Sequence, residues 1–404
     1  CPLEIGSHKI EQFTVAGKAH YYAAYGAKVP TEHAVVADLE KVFQYVADYV
    51  GEVPYEHYTV MSHFLPNIYG GLEHKNSTAV QFCPWMMHSK EGYQNWLSLM
   101  SHEYFHTWNI KRIRPEHFSS FDYSQENYTD MLWLAEGLTS FLDDLFIYQA
   151  GFTTQQEYLK VLTKAINRFE AIPGRFQDSI EDSSFNAWIK LYRPDENSNN
   201  SSVSYYLKGM LLFLILHIDL VKAGSSSKEF VRSLWGNYKN QPDQGISKKG
   251  VLSLIEGVAN KATADKFATL LSSKEEIDFD SILKEAGLEV QREEQKSLEF
   301  GMTVEFKGNQ VFVKTVKEGG AASDDGLYAG DEIIALNNTR LLRAEWDKRK
   351  DWLRESVEYE LLISRQSLIK TVKIQAEVPQ PQVKKIVASN KALVEKVFKE
   401  ESYA

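Results

Sequence analysis

The alternation of apolar and polar positions predicts strands in the first hundred residues. Apolar and polar side chains alternate between residues 8 and 29, and residues 57 to 65 and 78 to 82 have the same character. Residues 35 to 50 instead carry apolar side chains at helical spacing. We therefore predict that the chain opens with a mixture of strands and helix.

Helical periodicity dominates after residue 90. One helix is predicted from residue 92 to a point before Pro115, which would break it, and a second over about residues 130 to 149. Thr154 and Glu157 form a capping-box pattern that starts a third helix. A further buried helix is predicted to begin at Ser204.

The patterns divide the chain into four parts. A chain of 404 residues is longer than one ordinary domain with a single hydrophobic core. The pattern of apolar positions changes from short helices to strands after the charged stretch 291 to 296. We predict a first domain over residues 1–225, a helical extension over 226–290, a strand-rich domain over 291–380 and a C-terminal helical tail over 381–404.

Composition excludes several classes of protein. A net charge of -10 argues against nucleic-acid binding or binding to anionic membranes, because those surfaces need clustered Lys and Arg. Only Cys1 and Cys83 are present, so a zinc site of four cysteines is excluded and at most one disulfide can form. The longest apolar run, residues 210 to 216, is too short for a transmembrane segment, and none is predicted.

The compartment stays undecided. The chain opens on Cys1-Pro2 without a methionine, which suggests a processed or truncated start, so any signal peptide is not visible.

The segment 102 to 106 carries the pattern H-E-x-x-H on a predicted helix. The i, i+4 spacing places the imidazoles of His102 and His106 on one face, with Glu103 directed toward the same pocket. This arrangement is typical of zinc ligation with a carboxylate as general base. The alternative is an amphipathic helix that merely exposes two histidines.

Glu136 is a candidate for the third ligand. It lies in an otherwise apolar stretch, where an unpaired buried carboxylate is unfavourable and a bound metal would resolve the cost. The alternatives are that Glu136 reaches solvent or pairs with Arg112 or Arg114. Two histidines and one glutamate leave the fourth position of a zinc ion open, as catalytic sites require. We therefore predict one Zn²⁺ per chain.

Four ordered motifs carry a family resemblance, in residues 70–74, 102–109, 133–139 and 205–209. With them the chain resembles the glycyl aminopeptidase family of gluzincin zinc metallopeptidases, relatives of aminopeptidase N that mostly append a PDZ domain. The resemblance implies an α+β fold. It consists of a thermolysin-like catalytic domain with a helical extension, followed by a PDZ domain.

The resemblance also implies roles for single residues. Glu73, in the segment Gly70-Gly71-Leu72-Glu73-His74, would bind the free α-amine of the substrate, with Gly71 and His74 beside it. Relatives carry Asn where this chain has His74, so the role of that side chain is open. Tyr206 would stabilise the oxyanion. Tyr205 is the alternative candidate for this role. If the motif is aligned on the preceding Ser-Val instead of on the following Lys208-Gly209, the match shifts by one residue, from Tyr206 to Tyr205.

The strand-rich domain predicted over residues 291–380 resembles a bacterial-type PDZ domain. The resemblance rests on Phe300-Gly301-Met302 and on the glycine-containing segments 319–322 and 330–334, with residues 343 to 355 as the groove helix. A PDZ groove accepts the C-terminus of a peptide by β-strand addition. The carboxylate loop departs from the usual glycine-leucine-glycine-phenylalanine.

The function implied is that of a zinc aminopeptidase acting on peptides with a free N-terminus, with a suggested preference for Gly or Ala at the first position. One alternative is a PDZ-based adaptor with an inactive peptidase domain, and the complete set of catalytic residues counts against it. The other is a zinc endopeptidase on the same site, and Glu73 counts against that.

Overall fold

The computed structural model describes residues 2–26 and 33–399. A five-stranded sheet comes first, formed by β1 (Ile10–Val15), β2 (Lys18–Gly26), β3 (His57–Phe64), β4 (Tyr69–Glu73) and β5 (Ser77–Phe82). Its order is β1-β2-β3-β5-β4, with β2, β3 and β5 parallel and both edge strands antiparallel. The predicted strands agree with this sheet, and residues 27–29 of the first prediction lie outside the described residues. The motif segment around Gly70 and Gly71 forms the edge strand β4.

Helices build most of the peptidase region. They are α1 (Val35–Val50), α2 (Lys90–Phe105), α3 (Leu138–Gln149), α4 (Gln155–Glu170), α5 (Ile180–Phe185), α6 (Ala187–Lys190), α7 (Ser198–Ser201), α8 (Tyr205–Lys222), α9 (Ser227–Asn240), α10 (Lys248–Val258), α11 (Lys261–Ser272) and α12 (Phe279–Glu285). The capping box at α4 is present as predicted, because Thr154 and Glu157 bond each other's backbone amides.

The helix predicted over residues 130 to 149 is not regular throughout. Residues Trp133–Gly137 form a π-helical turn, and α3 begins only at Leu138. The buried amide of Asn109 donates to the carbonyls of Leu134 and Ala135, at 2.8 and 3.1 Å. Such turns are common at functional sites, and this one contains Glu136.

Two glycines let α8 approach the π turn. A Cβ added to Gly137 would lie 2.7 Å from the Cα of Gly209, and one added to Gly209 would lie 2.6 Å from the Cα of Gly137. A side chain at either position would push the helices apart. This close crossing holds the first turn of α8 beside Glu136.

The stretch Ser198–Lys222 is long and apolar enough to cross a membrane by composition alone. However, 83% of its most apolar part is buried inside the protein. Its main part, α8, is therefore a buried core helix of the peptidase region.

The PDZ region has its own sheet and core. Its elements are β7 (Met302–Lys307), β8 (Gln310–Val316), α13 (Ala321–Asp324), β9 (Glu332–Leu336), β10 (Thr339–Arg340), α14 (Arg343–Trp346), β11 (Glu358–Arg365) and β12 (Leu368–Gln375). The sheet order is β12-β11-β9-β8-β7, with β10 paired to β9. Its buried residues, from Phe300 to Ala376, form a cluster separate from the main core.

The C-terminal tail differs from the prediction of a helix over residues 381–404. In its described part, Gln382–Ala388 forms the strand β13 and only Lys391–Phe398 forms a helix, α15. Residues 400–404 of this prediction lie outside the described residues. β13 pairs antiparallel with β6 (Leu288–Glu293), and its side chains Val383 and Ile386 are buried in the peptidase core. The pairing spans about ninety residues of sequence, so local periodicity does not show it. The PDZ region is thus inserted between two paired strands.

A second contact joins the PDZ region to the peptidase region. The side chain of Asn200, in α7, donates to the carbonyl of Val316 at 2.7 Å and accepts from the amide of Glu318 at 2.9 Å. Asn200 is 8% exposed. It therefore satisfies two backbone groups at the end of β8 from a segment that leads directly into α8.

Candidate metal centre and active site

Three side chains from two elements converge in the peptidase region. His102 and His106 lie one turn apart on α2, and Glu136 reaches them from the π turn. The Nε2 atoms of both histidines are 3.3 Å from Oε2 of Glu136. Among the described residues, these three form the group of His, Cys and carboxylate side chains close enough to share a metal ion.

The outer nitrogens of the histidines fix how the rings point. Nδ1 of His106 donates to the carbonyl of Asn109 at 2.7 Å, and Nδ1 of His102 donates to Oδ2 of Asp143 at 2.8 Å. With Nδ1 protonated, the lone pair of each ring is on Nε2, which faces Glu136. This is the usual outer-shell arrangement of metal-binding histidines.

The donor set fits zinc. A tetrahedral zinc ion with bonds of ~2.0–2.1 Å holds its donor atoms about 3.3 Å apart. The two separations between imidazole and carboxylate have this value. Arg112, the alternative partner of Glu136, donates instead to the carbonyls of Pro54, Lys75 and Thr107. Two nitrogens and one carboxylate oxygen leave a fourth position open.

The charges around the cluster favour a cation. Burial alone would raise the pKa of Glu136, but the imidazoles of His106 and His102 outweigh burial and hold this pKa well below its usual range. Burial would lower the pKa of His102, yet hydrogen bonds to Asp143 and Glu136 raise it. The site therefore stabilises positive charge beside the ionised carboxylate of Glu136.

Glu103 lies between the cluster and the sheet. It is 4% exposed, and its Oε2 accepts from the hydroxyl of Thr78 at 3.4 Å. A Cβ added to Gly71 would lie 2.2 Å from Oε1 of Glu103, so only glycine lets β4 pass this close. Burial raises the pKa of Glu103 against the opposing charges of His106 and His102.

Glu73 lies at the end of the edge strand β4. Its Oε1 is 2.7 Å from Nζ of Lys111. Burial would raise the pKa of Glu73, but His106 and Lys111 outweigh it and lower this pKa, so the carboxylate stays ionised. The neighbouring His74 turns back on the strand, where its Nδ1 donates to the carbonyl of Leu72 at 3.1 Å.

The two candidate tyrosines differ in where they lie. Tyr205 is 1% exposed, and its hydroxyl is 3.5 Å from that of Tyr192. The ring of Tyr206 is only partly buried and is stacked beside His102, with 6.5 Å between ring centroids. The geometry therefore favours Tyr206 as the tyrosine that lies beside the three candidate metal ligands.

Three residues that the sequence reasoning did not single out also shape the site. Asp143 orients His102, Lys111 pairs with Glu73, and Asn109 holds both His106 and the π turn. A signal existed for Asp143, because it follows Glu136 by seven residues, which is two helical turns and therefore the same face. Lys111 and Asn109 depend on the irregular turns after α2, which no periodicity predicts.

Comparison with known proteins supports the assignment of both regions. A family model described as M61 glycyl aminopeptidase matches residues 95–212, and a PDZ domain model matches residues 278–363. No curated protein matches the chain in sequence.

One solved structure shares the fold of nearly the whole chain. A crystal structure of an aminopeptidase N family protein from Idiomarina loihiensis is 26% identical, with a TM-score of 0.89 over 98% of this chain and 71% of that chain. An M1 zinc metallopeptidase from Deinococcus radiodurans is 13% identical, with a TM-score of 0.44 over 67% of this chain and 53% of that chain.

Fold and site together define a metallopeptidase. The comparisons also confirm the resemblance that the four motifs predicted, to the glycyl aminopeptidases and relatives of aminopeptidase N that carry a PDZ domain.

Proposed function

We propose that this chain is a zinc-dependent aminopeptidase that hydrolyses the N-terminal peptide bond of peptides. The observation that carries the proposal is the convergence of His102, His106 and Glu136 beside two further carboxylates, Glu103 and Glu73. We assign the catalytic region to the thermolysin-like fold, with one zinc ion per chain.

Glu103 acts as the general base. A zinc ion held by His102, His106 and Glu136 would lower the pKa of a water molecule toward ~7 and would polarise the substrate carbonyl. Glu103 accepts the proton from the attacking water and then delivers it to the leaving amine. Its burial between Thr78 and Gly71 fixes the carboxylate on the strand side of the cluster.

Tyr206 stabilises the charge that develops on the carbonyl oxygen. Its hydroxyl donates a hydrogen bond to the oxyanion, and this bond is stronger in the transition state than in the ground state. The crossing of Gly137 and Gly209 supports this role, because it holds the start of α8 against the turn that carries Glu136.

Glu73 makes the enzyme an exopeptidase. Its ionised carboxylate pairs with the α-ammonium of the substrate and thereby sets which peptide bond reaches the metal. Oε1 contacts Nζ of Lys111 at 2.7 Å, and this contact orients the carboxylate. Gly71 lies in the same strand, and His74 follows it directly. A preference for Gly or Ala at the first position remains part of the proposal.

The PDZ domain supplies a second peptide site. β7 is an edge strand of its sheet, so a peptide can add to it, with the segment Phe300-Gly301-Met302 at the end that receives a C-terminal carboxylate. This site would accept a C-terminal peptide.

The proposal is tested by metal content and by substrate caps. We expect about one zinc per chain by mass spectrometry. We also expect hydrolysis of Gly-, Ala- and Leu-peptides, with much slower hydrolysis of their N-acetylated forms. Equal cleavage of capped peptides would establish an endopeptidase instead.

Glu103→Gln is the matched control. It leaves the three ligands in place, so zinc content should not change while hydrolysis falls by ~100- to 10,000-fold. If wild type and Glu103→Gln both bind zinc and neither hydrolyses any peptide, the adaptor function replaces the enzymatic one.

A further inference from the structure

Four half-exposed aromatic side chains lie beside the active site, on two segments that contact each other. We call Tyr128, Phe185, Trp188 and Tyr192 the downstream aromatic surface; they are 45, 50, 46 and 63% exposed. Tyr128 and Phe185 contact each other, with 5.1 Å between ring centroids. Single exposed aromatics are common, but a group of them marks an interaction site.

Hydrogen bonds connect this surface and its neighbour Ser184 to residues close to Tyr206 and Glu136. The hydroxyl of Tyr192 is 3.5 Å from that of Tyr205, the residue next to Tyr206. The hydroxyl of Ser184, next to Phe185, accepts from the amide of Trp133 at 3.3 Å, in the turn that carries Glu136. The surface is therefore continuous with the side of the site formed by Tyr206 and Glu136.

The backbone beneath the surface is fixed. α5 begins with a complete capping box of Ser179 and Asp182, and Ser183 bonds the carbonyl of Val203. Nζ of Lys190 contacts Asp178 and the carbonyl of Ser201. The aromatic rings themselves remain half-exposed on this rigid support, so core packing does not account for them.

The direction of the substrate follows from the proposed function. Glu73 holds the N-terminal amine from strand β4, and the bond that is cleaved lies at the metal opposite Tyr206. The residues after that bond must leave the site on the side away from β4. The rings carry no charge, so they match apolar side chains.

We propose, resting on the proposed function, that the downstream aromatic surface binds the residues that follow the cleaved bond. The enzyme then favours peptides with apolar or aromatic second and third residues over polar peptides and over substrates that end at the first residue.

The test uses three substrates: Ala-Phe-Leu-Ala, its polar match Ala-Ser-Ser-Ala, and alaninamide, which has no downstream residue. Wild type should cleave the apolar peptide with a kcat/KM roughly tenfold higher than the polar one. Trp188→Ala should remove most of this preference by raising KM, while alaninamide turnover stays within about twofold. Leu368→Ala removes an exposed apolar side chain of the PDZ domain, 64% exposed, and should change neither.

Binding decides the inference independently of turnover. Calorimetry on Glu103→Gln should show tighter binding of the apolar peptide, and the double variant Glu103→Gln with Trp188→Ala should lose that difference. Equal binding of both peptides overturns the inference, whether or not the enzyme hydrolyses them. An equal loss for alaninamide and the apolar peptide in Trp188→Ala also overturns it, because the ring would then be structural. A failure of the proposed function differs from both, since no peptide would be cleaved.

Discussion

The peptidase region and the PDZ domain differ in the groups that would position a peptide. In the peptidase region, buried polar side chains such as Asn109 and Asp143 hold the candidate ligands through specific hydrogen bonds. In the PDZ domain an apolar core supports a sheet whose edge strand β7 supplies backbone groups. Chemistry at a metal needs fixed side chains, whereas strand addition needs only a fixed backbone.

The two regions also differ in how they depend on the chain ends. The PDZ domain is an insertion between β6 and β13, and these strands pair with each other beneath it. The final helix α15 packs on the peptidase core, where Nε2 of His217 bonds the carbonyl of Val397 at 2.6 Å. The peptidase region therefore needs residues 382–398, although the PDZ domain precedes them.

Truncation after residue 380 should have the largest effect. It removes Val383, Ile386 and Phe398 from the peptidase core, and each buried apolar side chain contributes ~1.5–3 kcal/mol. Their sum is comparable to the whole stability of an ordinary domain. We expect loss of the cooperative thermal transition and of zinc binding.

Excision of the PDZ domain is the matched variant. Gln382 lies opposite Glu293 in the small sheet, so an Asn-Gly turn can replace residues 294–381. This protein should keep its zinc and should melt within a few degrees of wild type. If it collapses while the truncated chain survives, the assignment of the tail to the peptidase core is wrong.

Tyr206→Phe should have the next largest effect. Loss of one oxyanion donor costs about 2.7–4 kcal/mol of transition-state stabilisation, or roughly 100- to 1,000-fold in kcat. Folding and zinc content should not change. Tyr205→Phe serves as the control, and a larger loss in that variant would reverse the assignment of the two tyrosines.

Asp143→Asn should weaken zinc binding without abolishing it. The carboxylate orients His102, and loss of such an outer-shell partner typically costs 10- to 100-fold in metal affinity. Competition with a chelator measures this change. Asp144→Asn provides the neighbouring control, and an equal loss of affinity in both variants would show a general effect of charge.

Asn200→Ala should have the smallest effect, confined to the junction between the two regions. It removes the partner of two part-buried groups, the amide of Glu318 and the carbonyl of Val316, at a cost of about 0.5–1.5 kcal/mol for each bond. Hydrogen exchange over residues 316–318 should become faster while turnover changes little. Asn309→Ala, at an exposed position of the PDZ domain, should leave that exchange unchanged; equal acceleration in both would contradict the proposed contact.

The sequence predicted the parts of the molecule that follow from local periodicity and from motifs. The i, i+4 spacing of His102 and His106 places both on one face of α2, as observed. The π turn at Glu136 and the pairing of Glu73 with Lys111 were not predicted, because they depend on contacts between segments distant in sequence. The strand β13 was missed for the same reason, since its partner is β6.

The most direct test of the account is the preference for a free amine in Glu73→Gln. For wild type, the kcat/KM of an Ala-peptide should greatly exceed that of its N-acetylated form. The substitution breaks the charged pair with the substrate and should weaken the free-amine substrate by about 2–5 kcal/mol, with zinc content unchanged. The ratio between free and capped substrates should therefore fall sharply. An unchanged ratio in a zinc-loaded Glu73→Gln protein would contradict the account, because another residue would then hold the amine.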